Sequence, residues 1–128
     1  MVEPHFDVVD ELSSLWWVSR TGELTFIGST TQHFSSTGAP IGHSGVVKGG
    51  ALGSEHDVDD GFVARSRRVV EKARDAGFFG PCGVDGFTFR DVVTGDIQLR
   101  AVSEFNARFT AGWVALGCVR RAMAVSTV

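Results

Sequence analysis

The stretch SEFNARFTAG, residues 103–112, decides how the rest of the chain is read. Glu104, Asn106 and Arg108 stand at every second position, Phe105 and Ala107 lie between them, and a glycine closes the run. In an extended chain successive side chains point to opposite faces, so the spacing predicts a strand. It would set a carboxylate, an amide oxygen and a guanidinium on one surface. An ordinary solvated strand face carries the same residue types, and spacing alone leaves both readings open.

The segment before it supplies a partner. GPCGVDGFTFRDVVTGDIQLRAVSEFNA, residues 80–107, reads as two strands joined near Thr94 and Gly95. If these two are the central residues of a tight hairpin turn, paired residue numbers add up to 189, and Asp85 falls directly opposite Glu104. A slip of one residue would turn Asp85 to the other face. Two carboxylates about 5 Å apart repel and raise each other's pKa unless a cation lies between them. With the Asn106 oxygen beside them they form a set of hard oxygen ligands, the kind Mg²⁺ takes when phosphates fill its remaining positions.

Upstream, LWWVSRTGELTFIGSTTQHF (15–34) predicts a hairpin around Thr21 and Gly22. Of the adjacent Trp16 and Trp17, one should face the core and the other solvent or a partner. The Gly/Ser-rich stretch 35–54 reads as a long loop. DVDDGFVARSRRVVEKARDAG (57–77) has apolar residues near helical spacing, acids first and bases later, and Gly77 as its stop. A second helix begins near Thr110. The order β-β-loop-α-β-β-α predicts an α+β domain, an antiparallel sheet with helices on one face.

A chain of 128 residues is a single-domain length, able to bury roughly two-thirds of its extended surface. At 43% hydrophobic and 21% charged it is not a disordered composition. A net charge of −3 argues against nucleic acid as a partner. Neither a signal peptide nor a membrane-length apolar run is evident, which predicts a cytoplasmic protein with no membrane partner. Cys82 and Cys118 fit no zinc or disulfide pattern and read as free thiols. His5, His33, His43 and His56 lack ligand spacing and read as surface or loop residues. Ser35, Ser36 and Ser44 sit in no nucleophile-elbow context.

GFFGPCGVDGFTFRD followed by AVSEFNARFTAG resembles the C-terminal lobe of the ATP-grasp superfamily, whose members carry a Glu-x-Asn-x-Arg strand beside a strand bearing another acidic or amide ligand. The resemblance implies that Glu104 and Asn106 bind the magnesium ions bridging the phosphates of ATP, with Asp85 as the additional ligand. It implies that Arg108 contacts a small carboxylate substrate or its phosphorylated form. More faintly, residues 1–26 resemble the segment leaving the interlobe hinge, which would place Glu3 near the adenine and Glu11 near the ribose and phosphates. Gln32, in STTQHF, matches a segment near the ligand cleft. The implied cofactors are Mg²⁺ and ATP, and the implied fold is the C-terminal half of an ATP-grasp fold.

The departures matter equally. The family's preceding lobe, with its phosphate-binding lysines and glycine-rich loop, has no counterpart in these 128 residues, so the expected partner is such a lobe or a separate chain. VVKGGALGS (46–54) lacks the spacing of a phosphate loop, and Lys48 reads as a loop cation. Two expectations follow. The first is the Mg-ATP-binding portion of a carboxylate-amine or carboxylate-thiol ligase that works through an acyl phosphate, incomplete as a lone chain. The second is a non-catalytic remnant serving as a binding or interaction module.

Overall fold

Strand alternation in the first element sorts the whole domain into two faces. The elements run β1 (Asp7–Val18), β2 (Leu24–Phe34), β3 (Pro40–Ser44), β4 (Val46–Lys48), β5 (Ala51–Gly53), α1 (Asp59–Asp75), β6 (Gly80–Arg90), β7 (Ile97–Asn106) and α2 (Ala111–Ser126). They come from a computed structural model that describes residues 6–48, 51–54 and 59–126. Five strands form one sheet in the order β3-β2-β1-β6-β7, antiparallel at each pairing, and β4 and β5 pair as a separate small hairpin. The α+β class and the antiparallel sheet are as expected from the sequence.

Along β1, Leu12, Ser14, Trp16 and Val18 point one way, while Glu11, Ser13, Leu15 and Trp17 point the other. The first set forms the core with α1. Leu12, Phe62 and Ala101 make one buried cluster, and Trp16, Val18, Val70, Cys82 and Val84 make a second. Phe62, Ser66 and Val70 recur at helical spacing and are buried, so one stripe of α1 meets the sheet. The helix stops as expected at Gly77, whose φ of +100° lets Phe78 N–H donate back to Ala73 at 3.0 Å. Burial pushes the Cys82 thiol up to about 11, which makes it an inert core residue.

The second face is partly covered by α2. A side chain at Gly112 would meet Leu15 and the His43 ring, and one at Gly83 would meet Leu15 and Thr110. The start of α2 therefore sits on the Leu15 side, and the two helices lie on opposite faces where the sequence placed them on one. The reason is local. Leu15 and Gly83 make an apolar spot on this face, and Gly112, in the first turn of α2, lies against it where a Cβ would come within 3.2 Å of Leu15.

Two segments differ from their sequence reading. Residues 35–54 are not one loop. Ser35 and Ala39 close a tight turn, with Gly38 at φ +85°, and deliver β3 to the edge of β2. The composition is poor in strand formers, but the open edge of β2 supplies partners for its backbone. The β6–β7 connection is also longer than the expected two-residue turn. The Asp91 carboxylate accepts from the N–H groups of Val93 and Thr94, Asp91 N–H donates to Asp96, and Arg90 pairs with Ile97. Among the described residues, no helix is long and apolar enough to cross a membrane.

Candidate functional site

The face bearing Glu11, Ser13 and Leu15 carries a polar cluster centred on Asp85. β1 contributes Glu11 and Ser13, β2 contributes Thr30 and Gln32, β3 contributes His43, β6 contributes Asp85, and β7 contributes Glu104 and Asn106. Register brings them together. Asp85 is the direct partner of Glu104, Gly83 of Asn106, Ser13 of Asp85, and Gln32 of both Glu11 and His43.

The Asp85 carboxylate is half-buried and well supplied with donors. Asn106 Nδ2 donates to Oδ2 at 3.0 Å, and Gln32 Nε2 donates to Oδ1 at 3.4 Å. Asn106 is 7% exposed, with its amide nitrogen turned to Asp85 and its oxygen away from it. Burial raises the Asp85 pKa above the usual carboxylate range and the Glu104 charge adds to this, while Ser13, Asn106 and His43 pull the other way. Glu11 is raised too, by burial first and then by the Asp85 charge. Three acids thus share one face: Asp85 and Glu11 at a cost, and Glu104 exposed to solvent. An added cation would relieve that strain.

The donor set fits a hard divalent cation. Two carboxylates and an amide oxygen are the ligands Mg²⁺ takes, with water and phosphate oxygens completing an octahedron. Among the described residues, no three His, Cys, Asp or Glu side chains come together to hold a metal by themselves. A site here needs oxygens from its ligand. Beside the acids, Glu11 and Gln32 border a surface hollow of about 370 Å³ that extends past Val8, His33 and Phe34.

The structure does not gather every candidate. β7 ends at Asn106, so the alternation that aligned Arg108 with Glu104 stops before it arrives. Arg108 is exposed, and its Nη1 donates to the neighbouring Phe109 carbonyl at 3.3 Å. Glu3 lies outside the described residues, as do His5 and His56. Of Lys48 only the backbone is described, at the end of β4.

Sequence reasoning missed three residues of the cluster, Ser13, Thr30 and His43, of which His43 carries the most chemistry. His43 is neither a loop nor a surface residue. It lies half-buried on β3, and its Nδ1 pairs with Thr30 Oγ1 at 3.0 Å. Burial lowers its pKa, against an opposing pull from Asp85 and with a smaller push from His33. The available signal was faint: Pro40, Gly42 and Gly45 around it advertise a turn, and β3 is visible only once the β2 edge is known to be open.

No protein-family profile matches the chain, and no curated protein matches it. Among solved structures, it is similar to N5-carboxyaminoimidazole synthetase from Staphylococcus aureus complexed with ADP. The TM-score is 0.57 and the identity 15%, covering 85% of this chain and 25% of that one. A second structure of the same S. aureus enzyme gives a TM-score of 0.56 at the same identity and coverage. The chain spans about a quarter of the length of these neighbours. The fold is thus ATP-grasp-like, matching part of a synthetase that was solved with ADP.

Proposed function

We propose that the face formed by Asp85, Glu104 and Asn106 receives the phosphate end of a magnesium nucleotide, and that the domain is the Mg-ATP-binding portion of a ligase joining a carboxylate to an amine or thiol. One observation carries this reading: Asp85 stands directly opposite Glu104, with the Asn106 amide nitrogen on Asp85. The likeness to a solved ADP complex supports the nucleotide.

Each residue then has a task. Asp85, Glu104 and the Asn106 oxygen would hold Mg²⁺, which requires the Asn106 amide to turn over from its bond to Asp85; the ion, when bound, would neutralise charge on the phosphate oxygens. Gln32 and Ser13 orient Asp85 so that an oxygen stays turned toward the ion. Glu11, at the edge of the hollow, would take a ribose hydroxyl, and Glu3 the adenine end. Arg108 would reach the substrate carboxylate or the acyl phosphate, which requires its guanidinium to leave the Phe109 carbonyl. Among the described residues no Lys or Arg joins the acids and Glu104 is exposed to solvent, so a second lobe or chain would supply cations for the far side of the phosphates and exclude water.

The test is calorimetric titration of Mg-ATP into the purified domain and into the Glu104→Ala/Asn106→Ala variant. We expect weak binding by the domain, at roughly millimolar to high micromolar Kd as for a half-built site, and no measurable heat from the variant. Equal heats from the two proteins would refute the magnesium-nucleotide reading. They would favour the binding-module alternative, which one feature supports: Asp85 is already hydrogen-bonded by Asn106 and Gln32 without any ligand.

A further inference from the structure

The Asp85–Glu104 pairing depends on an irregularity in the ladder. Near the turn, partners such as Phe87–Arg100 and Arg90–Ile97 add up to 187, whereas Asp85–Glu104, Val84–Phe105 and Gly83–Asn106 add up to 189. Between these two registers β6 spends one residue, Gly86, while β7 spends three, Ala101, Val102 and Ser103. The excess of two is a bulge. It preserves which face each side chain uses, because the side-chain period is two. What it changes is who stands opposite whom.

Gly86 sits where the bulged strand crowds in. A Cβ built there would lie 2.7 Å from the carbonyl oxygens of both Arg100 and Ala101, and 2.9 Å from the Ala101 carbonyl carbon. These are backbone atoms, so no side-chain rotation relieves the clash. Ser103 Oγ, within the bulge, donates to the Asp85 carbonyl at 3.0 Å and ties the extra residues to the strand beside the acid. Without the bulge, the 187 register would run on, and Val102 would face Asp85. Glu104 would then stand opposite Gly83, about 7 Å away along a diagonal.

We propose that Gly86 is a positioning residue: by having no side chain it admits the two-residue bulge of β7 that sets Glu104 opposite Asp85 and Asn106 within reach of it. The consequence for ion binding rests on the magnesium reading above, whereas the register itself does not.

The experiment uses Gly86→Val, a deletion of residues 102–103, and the two combined. Each protein is read by cross-strand NOEs and by Mn²⁺-induced broadening of backbone amides near Asp85. In Gly86→Val the contacts of Asp85 should move from Glu104 to Val102, and Mn²⁺ affinity should fall about tenfold or more. The deletion removes the excess, so Glu104 should face Asp85 in a flush ladder, and valine at 86 should then be tolerated with Mn²⁺ binding restored. Asp85–Glu104 contacts persisting in Gly86→Val would overturn the proposal. So would a deletion protein in which valine at 86 still prevents folding, since the glycine would then be needed for another reason. Contacts that shift as expected while the broadening near Asp85 is absent from, or equal in, all proteins would leave the register device standing and refute the metal reading.

Discussion

Trp16→Ala should lower the unfolding free energy by about 3–5 kcal/mol, while Trp17→Ala, one position away, should change it by about 0.5 kcal/mol or less. Trp16 is 1% exposed and packs among Val18, Val70, Cys82 and Val84, with the Phe26 ring 4.9 Å away. Its indole N–H donates to Ser14 Oγ at 3.0 Å, and Ser14 Oγ in turn donates to the Val84 carbonyl at 3.3 Å. Truncation leaves a cavity and strips a buried hydroxyl of its donor, and the two losses add. Trp17 points the other way and is 41% exposed. Against a typical total of about 5–15 kcal/mol, the first change removes a large share of the stability of the fold. Urea denaturation followed by circular dichroism measures both; comparable losses in the two variants would mean that the core assignment is wrong.

That contrast was legible in the sequence, because adjacent residues of a strand must face opposite ways and one face must be buried. The hairpin at Thr21–Gly22, the end of α1 at Gly77 and the start of α2 at Thr110 were legible for similar local reasons: turn and cap chemistry is written in a few residues. The Gly22 φ of +90° is the counterpart of the first; α2 does open at Thr110, with the Trp113 N–H on its carbonyl at 3.0 Å, but the buried Thr110 hydroxyl makes no capping bond.

The register at the site is a more instructive case. Asp85 does face Glu104, yet the premise used to predict it does not hold. The turn is not the two-residue Thr94–Gly95 type, because Asp91 captures the Val93 and Thr94 amides and shifts the ladder near the turn to 187. The bulge beside Gly86 restores 189. Two departures from regular pairing cancel, and a tight-turn argument cannot see either one. Gly86, inside an otherwise strand-like run, was the legible mark of the second, since a glycine there removes packing and signals a bulge or a close backbone approach. β3 and His43 were hidden for a different reason. Their structure is imposed by the edge of β2, a tertiary effect that local composition cannot express. Arg108 shows the limit of alternation as an argument: a period of two places side chains only while the strand lasts, and β7 ends at Asn106.

Asp85→Asn is expected to move stability and ion binding in opposite directions. A carboxyl whose pKa is raised on folding favours the native state while it is protonated. That contribution is complete below the ordinary aspartate value of 3.8 and is lost as pH rises through the raised folded value. Once ionised, Asp85 is held in the native domain against burial and against Glu104, which faces it. Asparagine has nearly the same shape, keeps an oxygen for the Asn106 amide, and removes one of two opposed charges. The variant should be more stable than the parent at pH 7 by up to about 1 kcal/mol, and this advantage should vanish near pH 3, where Asp85 in the parent is itself neutral. Mn²⁺ or Mg²⁺ affinity should fall about 10- to 100-fold at pH 7. In the parent, ion binding should weaken as pH drops through the raised carboxyl range, because protons compete for the same oxygens. Thermal melts at the two pH values, with and without Mn²⁺, read all of this in one series. A variant less stable than the parent at pH 7 would mean that Ser13, Gln32 and Asn106 more than offset the burial of the charge. The ordinary role of Asp85 would then be structural, and the cluster would have no unmet need for a cation.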